Sequence, residues 1–241
     1  MGVVMRDITS DEIRLYGDIV ARLERVGPGA DARGDMLADI IRLTRSDFGA
    51  SYVWNEGKGI FEYSRAYRMS EDNLRAYDDW FQFRDPMTQQ LRARKRATPV
   101  ELVIPHRRLE HTEFFNDFLS RDGMHHGINL FVFDNGKDLG DLRIWRAKAR
   151  PEFEERDVVL LDMLEPFLRR ALLRASLHGD DLTPRERDVA VLVARGCTDR
   201  DIARLLGIGF ATVRTHLSHA MEKRGCANRA ELAATVSRLD G

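Results

Sequence analysis

The segment TDRDIARLLGIGFATVRTHL, Thr198 to Leu217, constrains the fold of this chain more than any other stretch. It places short apolar stripes on either side of Gly207 and gives the second one a polar face. Thr198 suits a helix N-cap, and Asp199 and Asp201 follow near the positive end of the helix dipole. Gly207 tolerates the positive φ of a tight turn. Ala203 is small enough to let two helices cross closely, and Val213 is placed to lock the second helix onto the first. Together these are the needs of a helix-turn-helix. Its expected buried face is Ile202, Leu206, Ile208, Val213, Leu217 and Met221. The opposite face carries Ala211, Arg214, Thr215 and Ser218, flanked by His216 and His219. Gly209 stands where a Ser or Asn cap is usual, a loss of only a few tenths of a kcal/mol.

The flanks extend the helical pattern. Thr183-Pro184-Arg185-Glu186 reads as a capping box with proline in the first turn, and Gly196 ends the helix it starts. A further helix opens at Asn228-Arg229-Ala230-Glu231, with Leu232 and Val236 on one side. Residues 183–241 are therefore expected to be an all-α, four-helix domain, preceded by a linker over 176–182. Net charge over the whole chain is −1, which hides a local excess: from Gly209 to Arg229 there are four Lys/Arg against one acid, Glu222. A basic, polar helix face in a helix-turn-helix points to double-stranded DNA.

Residues 1–175 read differently. Apolar positions at helical spacing over 7–26 and 34–48 are followed by a hairpin in ASYVWNEGKGIFEYSR. A helical stretch over 71–97 is interrupted at Asp85-Pro86, and a short helix covers EFFNDFLSRD. A second hairpin, GINLFVFDNGKDLGDLRIWRA, turns at Asp134-Asn135-Gly136. The helix from Glu152 to Ala175 carries a stripe through Leu161, Leu164 and Leu168, suited either to a core or to a dimer seam. This order implies an α+β domain, an α/β/α sandwich with a small antiparallel sheet. Cys197 and Cys226 lack metal-ligand spacing and read as buried thiols, and no apolar run reaches the length of a membrane span. A cytoplasmic location is expected.

The motifs LTPRE, the G-x-T-x-R-x-IA segment, TVR-x-HL and the KRG…R ending closely resemble the LuxR-type helix-turn-helix domain of bacterial transcription factors, over residues 182–236. The resemblance implies that Arg214, Thr215 and Ser218 face base edges in the major groove. By geometry Arg214 is suited to bidentate contact with guanine. Thr198, Thr212, Lys223, Arg224 and Arg229 are the expected phosphate contacts. Asp199 replaces a usual Asn and adds negative charge near DNA; Arg224 replaces a usual Leu. Homodimers of such proteins read inverted repeats, and Leu161, Leu164, Leu168, Leu232 and Val236 are the candidate dimer contacts.

Residues 1–175 resemble the PAS- or GAF-like sensor of the quorum-sensing branch, with Asp85-Pro86, Gly127 and the EFFNDF helix in corresponding places. The positions where lactone receptors carry a Trp and a Tyr are Asp72 and Ala76 here, so a different small-molecule effector, or none, is expected. A pocket, if formed, is expected between the sheet and the Trp80 helix, drawing on Tyr52, Trp54, Tyr63, Tyr77, Trp80, Phe83 and Asp85. Asp85 alternatively caps the helix beginning at Pro86. The alternative reading is a ligand-independent or partner-controlled regulator whose N-terminal domain only dimerises. No nucleophile pattern or phosphate loop suggests an enzyme or a cofactor. His106, His111, His125 and His126 are close in sequence, but adjacent strand residues point apart and no carboxylate spacing joins them, so no metal is expected.

Overall fold

The computed structural model describes residues 8–27, 29–177, 182–224 and 226–237. Two compact units divide at Leu173 and Arg174. Of the expected linker over 176–182, residues 178–181 lie outside the described residues.

The first unit opens with α1 (Ser10–Arg25), started by a capping box. The Thr9 hydroxyl accepts from the Glu12 N–H while the Glu12 carboxylate accepts from the Thr9 N–H. After α2 (Ala32–Leu43) come β1 (Phe48–Asn55) and β2 (Ile60–Tyr67). Next are α3 (Glu71–Asp79), α4 (Thr88–Arg94), the two-residue β3 (Thr98–Pro99) and α5 (His106–Leu109). A π-helical turn (Phe115–Leu119) runs into α6 (Ser120–Asp122), followed by β4 (Met124–Asp134), β5 (Lys137–Ala147) and α7 (Glu155–Leu177), whose last residues lie past the division and take up the first two of the expected linker. The helix expected over 34–48 stops at Leu43, because Arg45 takes a positive φ and the chain joins the sheet at Phe48. The sheet is antiparallel in the order β2-β1-β5-β4-β3. Asn135 and Gly136 both have positive φ, as a tight two-residue hairpin turn requires.

Each face of the sheet has its own core. Ile128, Leu130, Val132, Leu142 and Ile144 pack against α1, α2 and α7. Ala50, Tyr52, Phe131 and Trp145 pack against Tyr77, Leu91, Leu109, Phe114 and Phe118 on the other side. The result is the expected α/β/α sandwich. Gly127 is fixed by close approach: a Cβ there would lie 2.6 Å from the Trp145 ring and 2.7 Å from Val100.

Among the described residues strand pairing slips at three points, one of them between Val132 and Phe133 near the β4–β5 turn, and the other two redirect candidate site residues. Between β1 and β2 the pairing moves from Ser51↔Arg65 to Val53↔Glu62, leaving an extra residue on β2 where Tyr63 has a φ of 56°. Phe61 belongs to one core and Tyr67 packs on the other, although both have odd numbers. Between β4 and β5 the pairing moves from Met124↔Ala147 to His126↔Arg146, leaving His125 as the extra residue.

Along α7, Leu161, Leu164 and Leu168 are buried in the core with Leu160 and Ala171. They are therefore not a dimer seam: the sheet occupies the apolar stripe that sequence periodicity left open to either use. The helix continues through Pro166.

The second unit contains α8 (Pro184–Ala194), α9 (Asp199–Leu206), α10 (Phe210–Lys223) and α11 (Arg229–Ser237). Its core joins Val189, Ala190 and Val193 with Ile202, Val213, Leu217, Ala220, Leu232 and Val236. Leu232 and Val236, also expected at a dimer contact, instead hold α11 against α8 and α10. Cys197 and Cys226 are free thiols and half-buried, less covered than expected. Among the described residues no helix is long and apolar enough to cross a membrane.

Candidate nucleic-acid interface and ligand cavity

The turn between α9 and α10 follows from Gly207. Its φ of 64° is left-handed, its N–H donates to the Ala203 carbonyl, and the Ile208 N–H reaches the same oxygen at 3.1 Å. No atom crowds a Cβ at this position, so backbone conformation alone calls for glycine. Thr198 caps α9 in a reciprocal box with Asp201. Gly209 begins α10 without any side-chain cap. Val213 and Leu217 turn inward, which leaves Arg214, Thr215 and Ser218 exposed together on the outer side of α10. Thr212 and Thr198 are exposed as well, and Arg224 is half-buried.

Of the expected phosphate contacts, Thr198 already gives its N–H and hydroxyl to Asp201, and the basic residues Lys223 and Arg229 are also engaged within the domain. Lys223 Nζ lies 2.7 Å from Glu186 Oε2, and the lysine side chain is only 21 % exposed. Glu186 is itself buried, accepts the Thr183 N–H at 2.7 Å and lies 3.6 Å from His219 Nδ1. Burial opposes its charge, but the bonds from Lys223 and Thr183 outweigh that and hold its carboxyl below the usual range. Arg229 pairs with Asp199 and donates to the Cys197 carbonyl. Both basic residues therefore join helices: Lys223 ties α10 to α8, and Arg229 ties α11 to the start of α9. Asp199, expected to bring negative charge towards DNA, is neutralised by that pair. Sequence composition could count these charges but not locate their partners.

On the α3 side of the sheet, Tyr52, Tyr77, Asp85, Asn129, Arg143 and Trp145 line a small cavity of about 20 Å³, together with Met69, Met87, Met124 and aromatic residues. Its polar centre is Arg143, fully buried. The guanidinium donates to Asp141 Oδ2 at 2.8 Å and to the Tyr77 hydroxyl, and stacks 4.7 Å from the Tyr52 ring centre. Asp141 also accepts the Tyr52 N–H at 2.6 Å. Burial works against the charge on Arg143, and the carboxylate of Asp141 more than offsets it, so its pKa rises and it stays protonated. Burial raises the phenol pKa of Tyr52 and Tyr77, keeping both neutral. The Tyr52 hydroxyl and Asn129 Oδ1 have no hydrogen-bond partner among the described residues.

Of the seven residues expected around a pocket, Tyr52, Tyr77 and Asp85 line this cavity and four do not. Trp54 packs edge-on against Phe61 near the end of β1. Tyr63 is carried to solvent by the bulge on β2. Trp80 is 46 % exposed, covered by the Arg84 guanidinium and bonded to Glu113, because the helix ends at Asp79 and turns it outward. Phe83 is 61 % exposed. Asp85 also has the capping role: Oδ1 accepts from the N–H groups of Met87 and Thr88, and Oδ2 from the Thr88 hydroxyl. Asn129 and Arg143 are not expected from the sequence pattern. Their positions on facing strands, at Asn129↔Arg143, are the signal that a paired reading of the hairpin supplies.

Comparison with known proteins places these features. The family model of "Bacterial regulatory proteins, luxR family" matches residues 180–236. The nitrate/nitrite response regulator protein NarL of Escherichia coli is 38 % identical over 93 residues, covering 37 % of this chain and 43 % of NarL. The match thus spans less than half the length of that curated relative. Among solved structures, Escherichia coli SdiA has a TM-score of 0.50 at 16 % identity, covering 93 % of this chain and 96 % of that one. The N-acylhomoserine-lactone-dependent LuxR-family factor CepR2 of Burkholderia cenocepacia has a TM-score of 0.51 at 14 % identity, covering 68 % and 93 %. At those identities the likeness is one of fold, and it extends to both units in SdiA. Residues 180–236 are thus a luxR-family helix-turn-helix domain.

Proposed function

We propose that the protein is a dimeric, sequence-specific transcriptional regulator that reads double-stranded DNA with α10 and is controlled by a small molecule in the cavity beside Arg143. The observation that carries the DNA reading is the joint exposure of Arg214, Thr215 and Ser218 on a helix whose other side is fixed in the core. Two copies of α10 would enter adjacent major grooves, giving an inverted repeat with half-sites about one helical turn apart. The dimer contact must use residues other than the five buried leucine and valine positions. The test is binding-site selection from random DNA with the full chain and with Arg214→Ala. Loss of preference at one base pair per half-site, and weakening of about 1–3 kcal/mol, is expected. An unchanged base preference refutes the assignment of Arg214.

Ligand control is supported by the chemistry of the cavity. An apolar wall of methionines and aromatics surrounds a buried cation and two unpartnered polar atoms, which suits a compact amphipathic molecule bearing hydrogen-bond acceptors and a donor. A second reading rests on size. At about 20 Å³ the cavity has room for little more than a water, far below small-molecule sites, and Tyr52 and Tyr77 pack 5.0 Å apart around Arg143, so without side-chain movement the same region serves as a self-filled core in a ligand-independent regulator. Native mass spectrometry of the freshly purified chain separates the two. Extra mass lost on activation supports the sensor; DNA binding of equal affinity in the presence and absence of cell metabolites supports the second reading.

A further inference from the structure

Three histidines and two glutamates meet where α5 touches the start of β4. On strict strand alternation His125 and His126 would point to opposite faces. The extra residue at His125 breaks that alternation, and the two ring centres lie 4.6 Å apart. The ring of His106 lies 4.1 Å from His125 and 5.7 Å from His126. Glu110 follows His106 by one helical turn and reaches within 3.3 Å of its Nε2. Glu101 approaches His126 Nδ1 at 3.7 Å. The expectation that these residues cannot share a site fails on the bulge.

The polar groups here are poorly satisfied. Among the described residues neither nitrogen of His106 makes a hydrogen bond, the approach to Glu110 being misaligned, and Nδ1 of the buried His126 has no partner either. Buried polar atoms of this kind call for an explanation, an unfilled ligand role among them. One donor atom each from His106, Glu110 and His125 fall within 4.8 Å of one another. Ligands around tetrahedral zinc stand about 3.4 Å apart, so small side-chain rotations close the set.

We propose that His106, Glu110 and His125 bind one divalent transition-metal ion, zinc or a neighbour with the same liking for imidazole and carboxylate. Two histidines and one glutamate leave a fourth position for water. Phe115 walls the site edge-on, 5.7 Å from the rings of both His106 and His125. The ion would clamp α5 to β4 next to Met124, which lines the cavity beside Arg143. This proposal is independent of whether that cavity holds a ligand.

The experiment uses the full, tag-free chain stripped with chelator and titrated with Co²⁺, followed by Zn²⁺ competition. One equivalent of Co²⁺ should develop visible ligand-field bands, displaced by Zn²⁺ at micromolar concentration or below. His106→Gln and Glu110→Gln should each weaken binding at least tenfold and alter the bands, while exposed His111→Gln leaves both unchanged. Glu110 is 39 % exposed, so its variant keeps the fold even if the His106 variant does not. Absence of a saturable equivalent, or binding unchanged in Glu110→Gln, overturns the proposal.

Discussion

Lys223 offers the sharpest separation between a residue that holds the DNA-binding unit together and one that holds DNA. Each phosphate neutralised on duplex DNA contributes about 0.9 to the slope of log K against log salt, so a dimer losing two lysine contacts should show a slope smaller by about 1.8. The structure gives Lys223 another task, bonded to Glu186 at 2.7 Å. Lys223→Met would leave that buried carboxylate its bond from the Thr183 N–H but remove its nearest cation. Stripping a buried charge of its partner costs about 3–5 kcal/mol when nothing else remains; with the cap retained, about 2 kcal/mol is the expected loss. That corresponds to roughly 30-fold faster exchange of the protected amides in α8 and α10. The assays are hydrogen exchange by mass spectrometry and fluorescence anisotropy on a random duplex between 50 and 200 mM salt, about the range over which such slopes are commonly resolved. Lost protection with an unchanged slope is the expected pair of results. A slope reduced by about 1.8 with protection intact refutes the structural role and returns Lys223 to the phosphate backbone.

Asp141→Asn should destabilise the first unit by about 3–5 kcal/mol, because it leaves the buried Arg143 guanidinium without a counter-charge. Urea unfolding followed by the fluorescence of Trp145, which shares that core, measures it; a loss below about 1 kcal/mol contradicts the reading. Acid should release a second device. Glu12 caps α1 and pairs with Arg45 and Arg156, and despite the opposing effect of burial these bonds bring its pKa to about 2. A carboxyl whose folded pKa is depressed contributes stability above its unfolded value near 4.5 and loses it as pH falls towards 2. The stability gap between the wild type and Glu12→Gln, about 2 kcal/mol near neutrality after solvent screening, should close across that window in pH-dependent urea titrations.

The DNA-binding unit is legible in the sequence because its determinants are local. Thr183, Glu186, Thr198 and Gly207 act through backbone groups within a turn of themselves, so caps and the left-handed residue can be read in order along the chain. The outward face of α10 then follows from helical period alone. Partnership is not local. Glu186 with Lys223 and Asp199 with Arg229 are pairs 37 and 30 residues apart, and nothing in the spacing of charges distinguishes them from solvated ones. The same limit applies to Leu161, Leu164 and Leu168: a stripe states that a face is covered, not by what.

In the sheet the failures have one cause. Period-two alternation assigns strand residues to faces, and it assigns most of β4 and β5 correctly, with Ile128, Leu130 and Val132 on one side and Asn129 and Phe131 on the other. A bulge resets the count by one. At Tyr63 the reset removes an aromatic ring from the cavity and sends it to solvent; at His125 it brings an imidazole to two others. Neither position is marked by glycine or proline, and Tyr63 takes its left-handed φ without the residue type that would announce it. Two of the three places where pairing slips are therefore where alternation misassigns candidate site residues on the strands; the third, between Val132 and Phe133, lies away from them. A strand-pairing register, more than any further motif, is what the sequence of this domain does not display.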